Sequence, residues 1–123
     1  MRILIVDDEP IGALVIKRCL ERAGHETECA SDGAAALEKI RERAPDLLIT
    51  DIQMPVMCGE KLCGAIQAEF PDRRFPIIVM TATLERGTRD WVAGIPGAEF
   101  LEKPFSPRQI VARVSEHATT LSS

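Results

Sequence analysis

Short apolar runs alternate with segments of helical spacing along the whole chain. Five runs are predicted to be strands, at residues 2–6, 26–30, 46–50, 76–81 and 99–102. Several of them are continuously apolar, as is typical of strands that are covered on both faces. Five segments are predicted to be helices, at residues 10–23, 33–43, 59–70, 84–93 and 106–118. The regular alternation predicts a single α/β domain over residues 1–123, with a parallel sheet between two layers of helices.

The first and fourth helices differ in how clearly the sequence defines them. Pro10 stands at the first position of helix one, and apolar residues then recur with helical spacing at Ile11, Val15, Ile16, Cys19 and Leu20. The fourth helix is weak because it contains Gly87 and is followed by Gly94 and Pro96, residues that cost about 1 and about 3 kcal/mol inside a helix. Trp91 is interpreted either as the anchor of this helix or as an exposed docking residue.

Charge and composition exclude several classes of function. The chain has 15 basic and 19 acidic residues, and a formal charge of −4 argues against nucleic acid as a direct ligand. No apolar run approaches the roughly 20 residues of a membrane span, and no signal-peptide pattern precedes the first strand. We therefore expect a cytoplasmic protein without membrane attachment. The four cysteines have no metal-binding or C-x-x-C spacing and are expected to be free thiols.

The chemically distinctive residues fall at the carboxyl ends of the predicted strands. Asp7 and Asp8 follow the first strand, Asp51 follows the third, Thr81 ends the fourth and Lys103 ends the fifth. Open parallel sheets bind their ligands at this edge, near the point where the strand order reverses. Three carboxylates would repel one another there unless a cation neutralised them. A hard divalent cation such as Mg²⁺ prefers oxygen ligands of this kind.

The lysine and the threonine extend the predicted site from cation binding to phosphate chemistry. A metal ion, an ammonium group and a hydroxyl group together would hold a tetrahedral dianion. If Asp51 is a nucleophile, a phosphoryl group attached to it would be stabilised by all three. Each of these residues taken alone is more often an ordinary loop or surface residue. Their joint occurrence at four strand ends is what favours a functional site.

Four short motifs link this site to a known family. They are "VDD" (6–8), "TDIQMP" (50–55) with Gly59 eight residues after the aspartate, "MTA" (80–82) and "KPF" (103–105). In this order and at these separations, the chain resembles the response-regulator receiver domain of two-component signalling from residue 2 to about residue 118. The resemblance implies a flavodoxin-like, three-layer fold with strand order 2-1-3-4-5.

The resemblance also implies a role for each acidic residue. Asp51 would be the phosphoacceptor, taking its phosphoryl group from a phosphohistidine on a sensor histidine kinase or a histidine phosphotransfer protein. Asp8 would ligate Mg²⁺ directly, and Asp7 would do so mainly through water. Asp51 and the backbone carbonyl of Gln53 would complete the ligands from the protein.

Further residues would bind the phosphoryl group and transmit the signal. Lys103 would pair with a phosphoryl oxygen, and Thr81 would donate a hydrogen bond to it. Phe100 would be the switch residue that turns inward, and Lys103–Pro104 would be a cis peptide. The face made by the fourth helix, fifth strand and fifth helix would signal to a partner protein or output domain, with a homodimer on phosphorylation as another option.

Two positions bear on the lifetime of the phosphoryl group. Gln53 and Thr83 lie two residues after Asp51 and Thr81, and neither is a carboxylate able to activate water. The chain would therefore catalyse its own phosphorylation and slow dephosphorylation without being a conventional enzyme. Two alternatives stay open. A metal-dependent phosphohydrolase with an aspartyl-phosphate intermediate would want an acid where Gln53 stands, and the complete set of site residues disfavours a pseudo-receiver that only binds partners.

Overall fold

Strands and helices alternate from one end of the chain to the other in the computed structural model, which describes residues 1–54, 56–82 and 86–122. The strands are β1 (Arg2–Val6), β2 (Glu26–Ala30), β3 (Leu47–Asp51), β4 (Ile77–Thr81) and β5 (Ala98–Glu102). The helices are α1 (Pro10–Arg22), α2 (Gly33–Glu42), α3 (Gly59–Glu69), α4 (Arg86–Ala93) and α5 (Pro107–Ser122). Most bounds lie within two residues of the predicted ones, and the largest difference is the longer α5.

Local chemistry explains where several helices begin. The side chain of Asp32 accepts a hydrogen bond of 2.8 Å from the backbone N–H of Ala35, which caps α2. Ser106 Oγ accepts a hydrogen bond of 3.2 Å from the N–H of Gln109 at the start of α5. Pro10 begins α1 at a position where no intrahelical N–H is needed.

All five strands pair in parallel, in the order β2-β1-β3-β4-β5. This confirms the predicted flavodoxin-like fold. The strand order reverses at β1, because the chain first adds β2 on one side of it and then β3 on the other. Val6 of β1 pairs with Thr50 of β3, so the residues that follow them, Asp7 and Asp51, lie side by side at this switch point.

Each face of the sheet has its own hydrophobic core, because successive strand residues point to opposite faces. On one face, buried residues of β1, β3 and β4 pack with α2, α3 and Val92 of α4. On the other face, the remaining strand residues pack with α1 and α5. The sheet is thereby covered on both sides, as the continuous apolar runs predicted. This rigid frame sets the positions of the side chains that follow β1, β3, β4 and β5.

The buried face of α1 includes only part of the apolar pattern in the sequence. Its buried residues are Ala13, Ile16 and Leu20, whereas Ile11 is 80% exposed and Val15 is 47% exposed. In the first half of the helix, the buried residue is therefore the small Ala13 and not one of the larger apolar residues. The outer surface of α1 consequently carries several apolar side chains.

The fourth helix spans Arg86–Ala93 in the described part of the chain and ends at the predicted residue. It ends at Ala93, where the N–H of Gly94 bonds to the carbonyl oxygens of both Asp90 and Trp91. Trp91 is partly buried and packs against the core on the α2 and α3 side. Of its two interpretations, the structure favours the one in which Trp91 anchors the helix.

The cysteines are free thiols, as predicted. Cys63 of α3 is fully buried, and burial raises the pKa of its thiol to about 12. A thiol with this pKa stays protonated at neutral pH and is a poor nucleophile.

Candidate functional site

Three aspartates meet at the carboxyl ends of β1 and β3. Asp7 is 7% exposed, Asp51 is half-buried and Asp8 is exposed. One carboxylate oxygen from each residue lies within 4.8 Å of the other two. Backbone groups orient two of these side chains, since Asp7 Oδ1 accepts the N–H of Glu9 at 3.0 Å and Asp51 Oδ1 accepts the N–H of Ile52 at 2.7 Å.

The environment of Asp7 disfavours its charged form. Burial raises the pKa of the Asp7 carboxyl, and the neighbouring charges of Asp51 and Asp8 raise it further. The hydrogen bond from the N–H of Glu9 and the charge of Lys103 oppose this change without cancelling it. The cluster is therefore electrostatically unfavourable by itself, and a bound cation would relieve it.

A substitution that removes the charge of Asp7 should relieve the repulsion within the acidic cluster and stabilise the fold. We expect Asp7→Asn to raise the free energy of unfolding at pH 7 without Mg²⁺. Because the folded-state pKa of Asp7 lies above its ordinary value of 3.8, the folded wild type binds this proton more tightly than the unfolded chain. Wild-type stability from this group therefore rises as pH falls through the folded pKa, and the advantage of Asp7→Asn should disappear below about pH 3.8.

Urea denaturation of both proteins from pH 7 to pH 3 measures this difference. With saturating Mg²⁺ the order should reverse, since a ligand that binds the folded wild type stabilises it. An Asp7→Asn variant that is less stable than wild type at pH 7 without Mg²⁺ would contradict the prediction.

Lys103 brings a positive charge into direct contact with Asp51. Its Nζ donates a hydrogen bond of 2.8 Å to Asp51 Oδ2. Burial disfavours the charge of Lys103, but the hydrogen bond and charge of Asp51, together with the charges of Asp7 and Glu9, outweigh it and raise the lysine pKa. The lysine is therefore held in its charged form against the Asp51 carboxylate.

The backbone on both sides of Lys103 helps to direct its side chain. The Lys103 N–H donates a hydrogen bond of 2.6 Å to the carbonyl oxygen of Thr81, the last residue of β4. The Lys103–Pro104 peptide bond is cis. The side chains of Thr81 and Lys103 thus share one rim with Asp51.

An open cleft of about 1110 Å³ joins these residues. Its lining includes Asp8, Asp51, Gln53, Thr81 and Lys103. Gln53 is exposed in the loop that follows β3. Acidic oxygens, an ammonium group and a hydroxyl group therefore border one space that is large enough for a phosphoryl group.

Two of the predicted residues stand apart from this cleft in different ways. Phe100 of β5 pairs with Val79 of β4 and packs against the core on the α2 and α3 side. Its predicted role as a switch stays a prediction. Thr83, predicted to affect phosphoryl lifetime, lies outside the described residues.

The sequence analysis missed two contacts that shape the site. The backbone N–H of Glu9, a residue to which no role was assigned from the sequence, orients Asp7. Gly33, at the start of α2, donates its N–H to the carbonyl oxygen of Met57 in the loop after β3, at 3.1 Å. A glycine at the first position of a helix was the available signal for this second contact.

The donor atoms fit a hard divalent cation. Asp7, Asp8 and Asp51 supply carboxylate oxygens from two adjacent strands, and the charge of the cluster is compensated only in part by Lys103. Oxygen ligands that converge in this way suit Mg²⁺ better than softer metals.

The fold and the site together define a flavodoxin-like α/β protein with an acidic, lysine-bordered cleft at its switch point. The response regulator receiver domain model matches residues 3–115, and the chain belongs to this family. Receiver domains are components of two-component systems, and they generally bind Mg²⁺ at an acidic pocket.

Individual relatives agree with this assignment. The chain is 34% identical to the alkaline phosphatase synthesis transcriptional regulatory protein PhoP of Bacillus subtilis, over 92% of this chain and 46% of PhoP. It is 38% identical to the sensor histidine kinase TmoS of Ectopseudomonas mendocina, over 93% of this chain and 12% of TmoS. The structure of the chemotaxis response regulator CheY4 of Vibrio cholerae superposes with a TM-score of 0.86 and 28% identity, covering 94% of this chain and 97% of CheY4.

The chain thus spans less than half the length of PhoP and a small part of TmoS. Within the described ranges, no helix is long and apolar enough to cross a membrane.

Proposed function

We propose that this receiver domain accepts a phosphoryl group on Asp51 from a phosphohistidine of a sensor histidine kinase or a histidine phosphotransfer protein, in the cytoplasm and with Mg²⁺. The observation that carries this proposal is the environment of Asp51. Lys103 Nζ lies 2.8 Å from one carboxylate oxygen, and the carboxylates of Asp7 and Asp8 form a cation site beside it. A nucleophile between an ammonium group and a cation site has charge compensation on both sides, as phosphoryl transfer requires.

The chain's own residues would carry out the transfer. An oxygen of Asp51 would attack the phosphorus atom, and the bond from phosphorus to the imidazole nitrogen would break with its electron pair passing to the imidazole. Lys103 would then move from the carboxylate to an oxygen of the transferred group, where the negative charge now lies. The Thr81 hydroxyl would donate a hydrogen bond to a second oxygen.

The acidic cluster would hold the metal ion during this step. Asp8 would bind it directly and Asp7 mainly through water, while Asp51 and the backbone carbonyl of Gln53 would supply the remaining protein ligands. When bound, Mg²⁺ would neutralise charge on the phosphoryl oxygens. The Gln53 side chain is an amide that cannot take a proton from water, so we propose slow dephosphorylation and a signalling module rather than a conventional enzyme.

Phosphorylation would be signalled to other proteins or domains through the face formed by α4, β5 and α5. If Thr81 turns towards the phosphoryl group, space opens behind it that Phe100 could fill. On the same face, Glu99 of β5 pairs with Arg113 at 3.3 Å and with His117 at 3.0 Å on α5. A change in this face would alter its binding to a partner protein, an output domain or a second copy of the chain. The net charge of −4 supports a protein partner rather than direct contact with nucleic acid.

The phosphodonor would dock over α1. Ile11, Leu14 and Val15 are exposed at 80%, 43% and 47%, and they lie three and four residues apart, as side chains on neighbouring turns of one helix do. Clefts of about 390 and 600 Å³ lie along this helix, and both include Asp7 in their lining. An apolar surface beside the acceptor suits a helix that presents a phosphohistidine.

Small-molecule phosphorylation tests this function without a cognate kinase. Wild-type protein incubated with acetyl phosphate and Mg²⁺ is expected to gain the mass of one phosphoryl group, and the same incubation with EDTA should leave the protein unmodified. Intact-mass spectrometry measures the product, and a phosphate-release assay measures its decay. No modification with Mg²⁺ would favour the pseudo-receiver, and rapid continuous release of phosphate would favour the phosphohydrolase.

A further inference from the structure

The loop from β3 to α3 carries part of the proposed site, and two glycines donate hydrogen bonds to its backbone. The N–H of Gly59, the first residue of α3, donates a hydrogen bond of 2.7 Å to the carbonyl oxygen of Ile52 and so joins the two ends of the loop. The carbonyl oxygen of Met57, two residues before Gly59, accepts the N–H of Gly33 at 3.1 Å. The first N–H groups of a helix have no partner within that helix, so the loop satisfies one of these donors of α2.

The contact at Gly33 leaves no room for a side chain. A β-carbon placed on Gly33 would lie 2.7 Å from the carbonyl oxygen of Met57, and 2.8 and 2.9 Å from its Cγ and Cβ. The nearest of these atoms is backbone, so a change of rotamer cannot relieve the overlap. Ordinary contact begins at 3.4 Å, and the helix and the loop would have to separate by about 0.7 Å.

Val56 of this loop has a backbone conformation that is unfavourable for its residue type. Its φ is 66°, in the left-handed region that residues with a β-carbon rarely adopt. The Val56 side chain is 83% exposed, so its own burial contributes little to offset this cost. The next residue, Met57, makes the contact with Gly33.

We infer that Gly33 is a positioning residue for the phosphorylation site. Its missing side chain lets the loop lie against α2, and this contact sets the position of the loop that bears the Gln53 carbonyl. The inference rests on the proposed function, in which that carbonyl binds Mg²⁺. Mg²⁺ requires near-ideal octahedral geometry at about 2.0–2.1 Å, so a displacement of several tenths of an ångström weakens its binding.

The variant Gly33→Ala should weaken Mg²⁺ binding about tenfold, the usual cost of disturbing the groups that orient a metal ligand. Amide chemical shifts followed during a Mg²⁺ titration measure the affinity directly, without a phosphodonor. Gly64→Ala in α3 is the matched control, because a β-carbon there meets no atom of the described residues within 4 Å. This control should bind Mg²⁺ as the wild type does.

A second variant separates positioning from helix stability. Asp32→Ala removes the cap of α2 next to Gly33, which destabilises the helix without pushing on Met57. It should keep wild-type Mg²⁺ affinity at a temperature where both variants are fully folded. Unchanged affinity in Gly33→Ala, or an equal loss in both variants, would overturn the inference.

Hydrogen exchange of the wild-type protein provides a test that requires no variant to fold. The Gly33 amide should be protected by its bond to Met57, and exchange at the rate of an unstructured peptide would overturn the inference. If the wild type binds Mg²⁺ and is phosphorylated while Gly33→Ala behaves identically, the inference alone fails. If the wild type binds no Mg²⁺, the proposed function fails and the inference with it.

Discussion

Asp51→Asn is expected to abolish phosphorylation by acetyl phosphate, a loss of at least about a thousandfold, as for removal of a catalytic nucleophile. The amide nitrogen that replaces one carboxylate oxygen cannot form an acyl phosphate. The remaining oxygen can still accept the N–H of Ile52, which lies 2.7 Å from Asp51 Oδ1, so we expect the variant to fold. Intact-mass spectrometry with Mg²⁺ present measures the loss, and circular dichroism checks the fold.

The matched control for this experiment is Asp72→Asn, which makes the same chemical change at an exposed position before β4. It should be phosphorylated as the wild type is. If Asp51→Asn still gains a phosphoryl group, the acceptor is another residue, and Asp8 in the same cleft would be the first to examine. That result would contradict the proposed role of Asp51 while leaving the metal site intact.

Gly59→Ala is expected to lower the free energy of unfolding by about 1–3 kcal/mol, the usual range for overpacking a close-packed position. A β-carbon on Gly59 would overlap the carbonyl oxygen of Asp51 and lie 2.9 Å from the Cα of Ile52. Both obstacles are backbone atoms of the segment that carries the acceptor, so neither can turn away. The loop would have to open, and the fraction that stays folded should also be phosphorylated more slowly.

Urea denaturation measures this change, and Gly64→Ala is again the control. An exposed glycine inside a helix costs about 1 kcal/mol relative to alanine, so Gly64→Ala should stabilise the protein by up to that amount. The two substitutions are chemically identical and lie in the same helix, and only the space around them differs. Equal stability changes in the two variants would show that Gly59 is not in close contact with β3.

Much of the architecture could be predicted because its causes are local. Continuous apolar runs such as Ile3–Val6 indicate strands covered on both faces, and the alternation with helices restricts the fold to a parallel sheet. A parallel sheet aligns the carboxyl ends of its strands, so residues that follow β1 and β3 had to meet at one edge. The structure brings Asp7, Asp8 and Asp51 together there.

The course of α1 could not be predicted in the same way. The apolar spacing of Ile11, Val15 and Ile16 is compatible with several rotations of the helix about its axis. In the structure Ala13 is buried, whereas Ile11 and Val15 are exposed. Which rotation is adopted depends on how α1 packs against β1, β2 and α5, and α5 lies far away in the sequence.

By itself, the sequence determined the strands, the helices and the set of acidic, hydroxyl and ammonium groups at the strand ends. Only the tertiary structure decided how these groups face one another. Lys103 contacts Asp51, which lies 52 positions earlier in the sequence. Gly33 donates a hydrogen bond to a loop that begins nearly twenty residues later. Periodicity and composition predict the local secondary structure of a segment. These contacts depend instead on how closely two backbone segments that are remote in sequence approach each other. Van der Waals contact in the folded chain sets that distance, and for that reason the contact between Gly33 and Met57 became visible only in the tertiary structure.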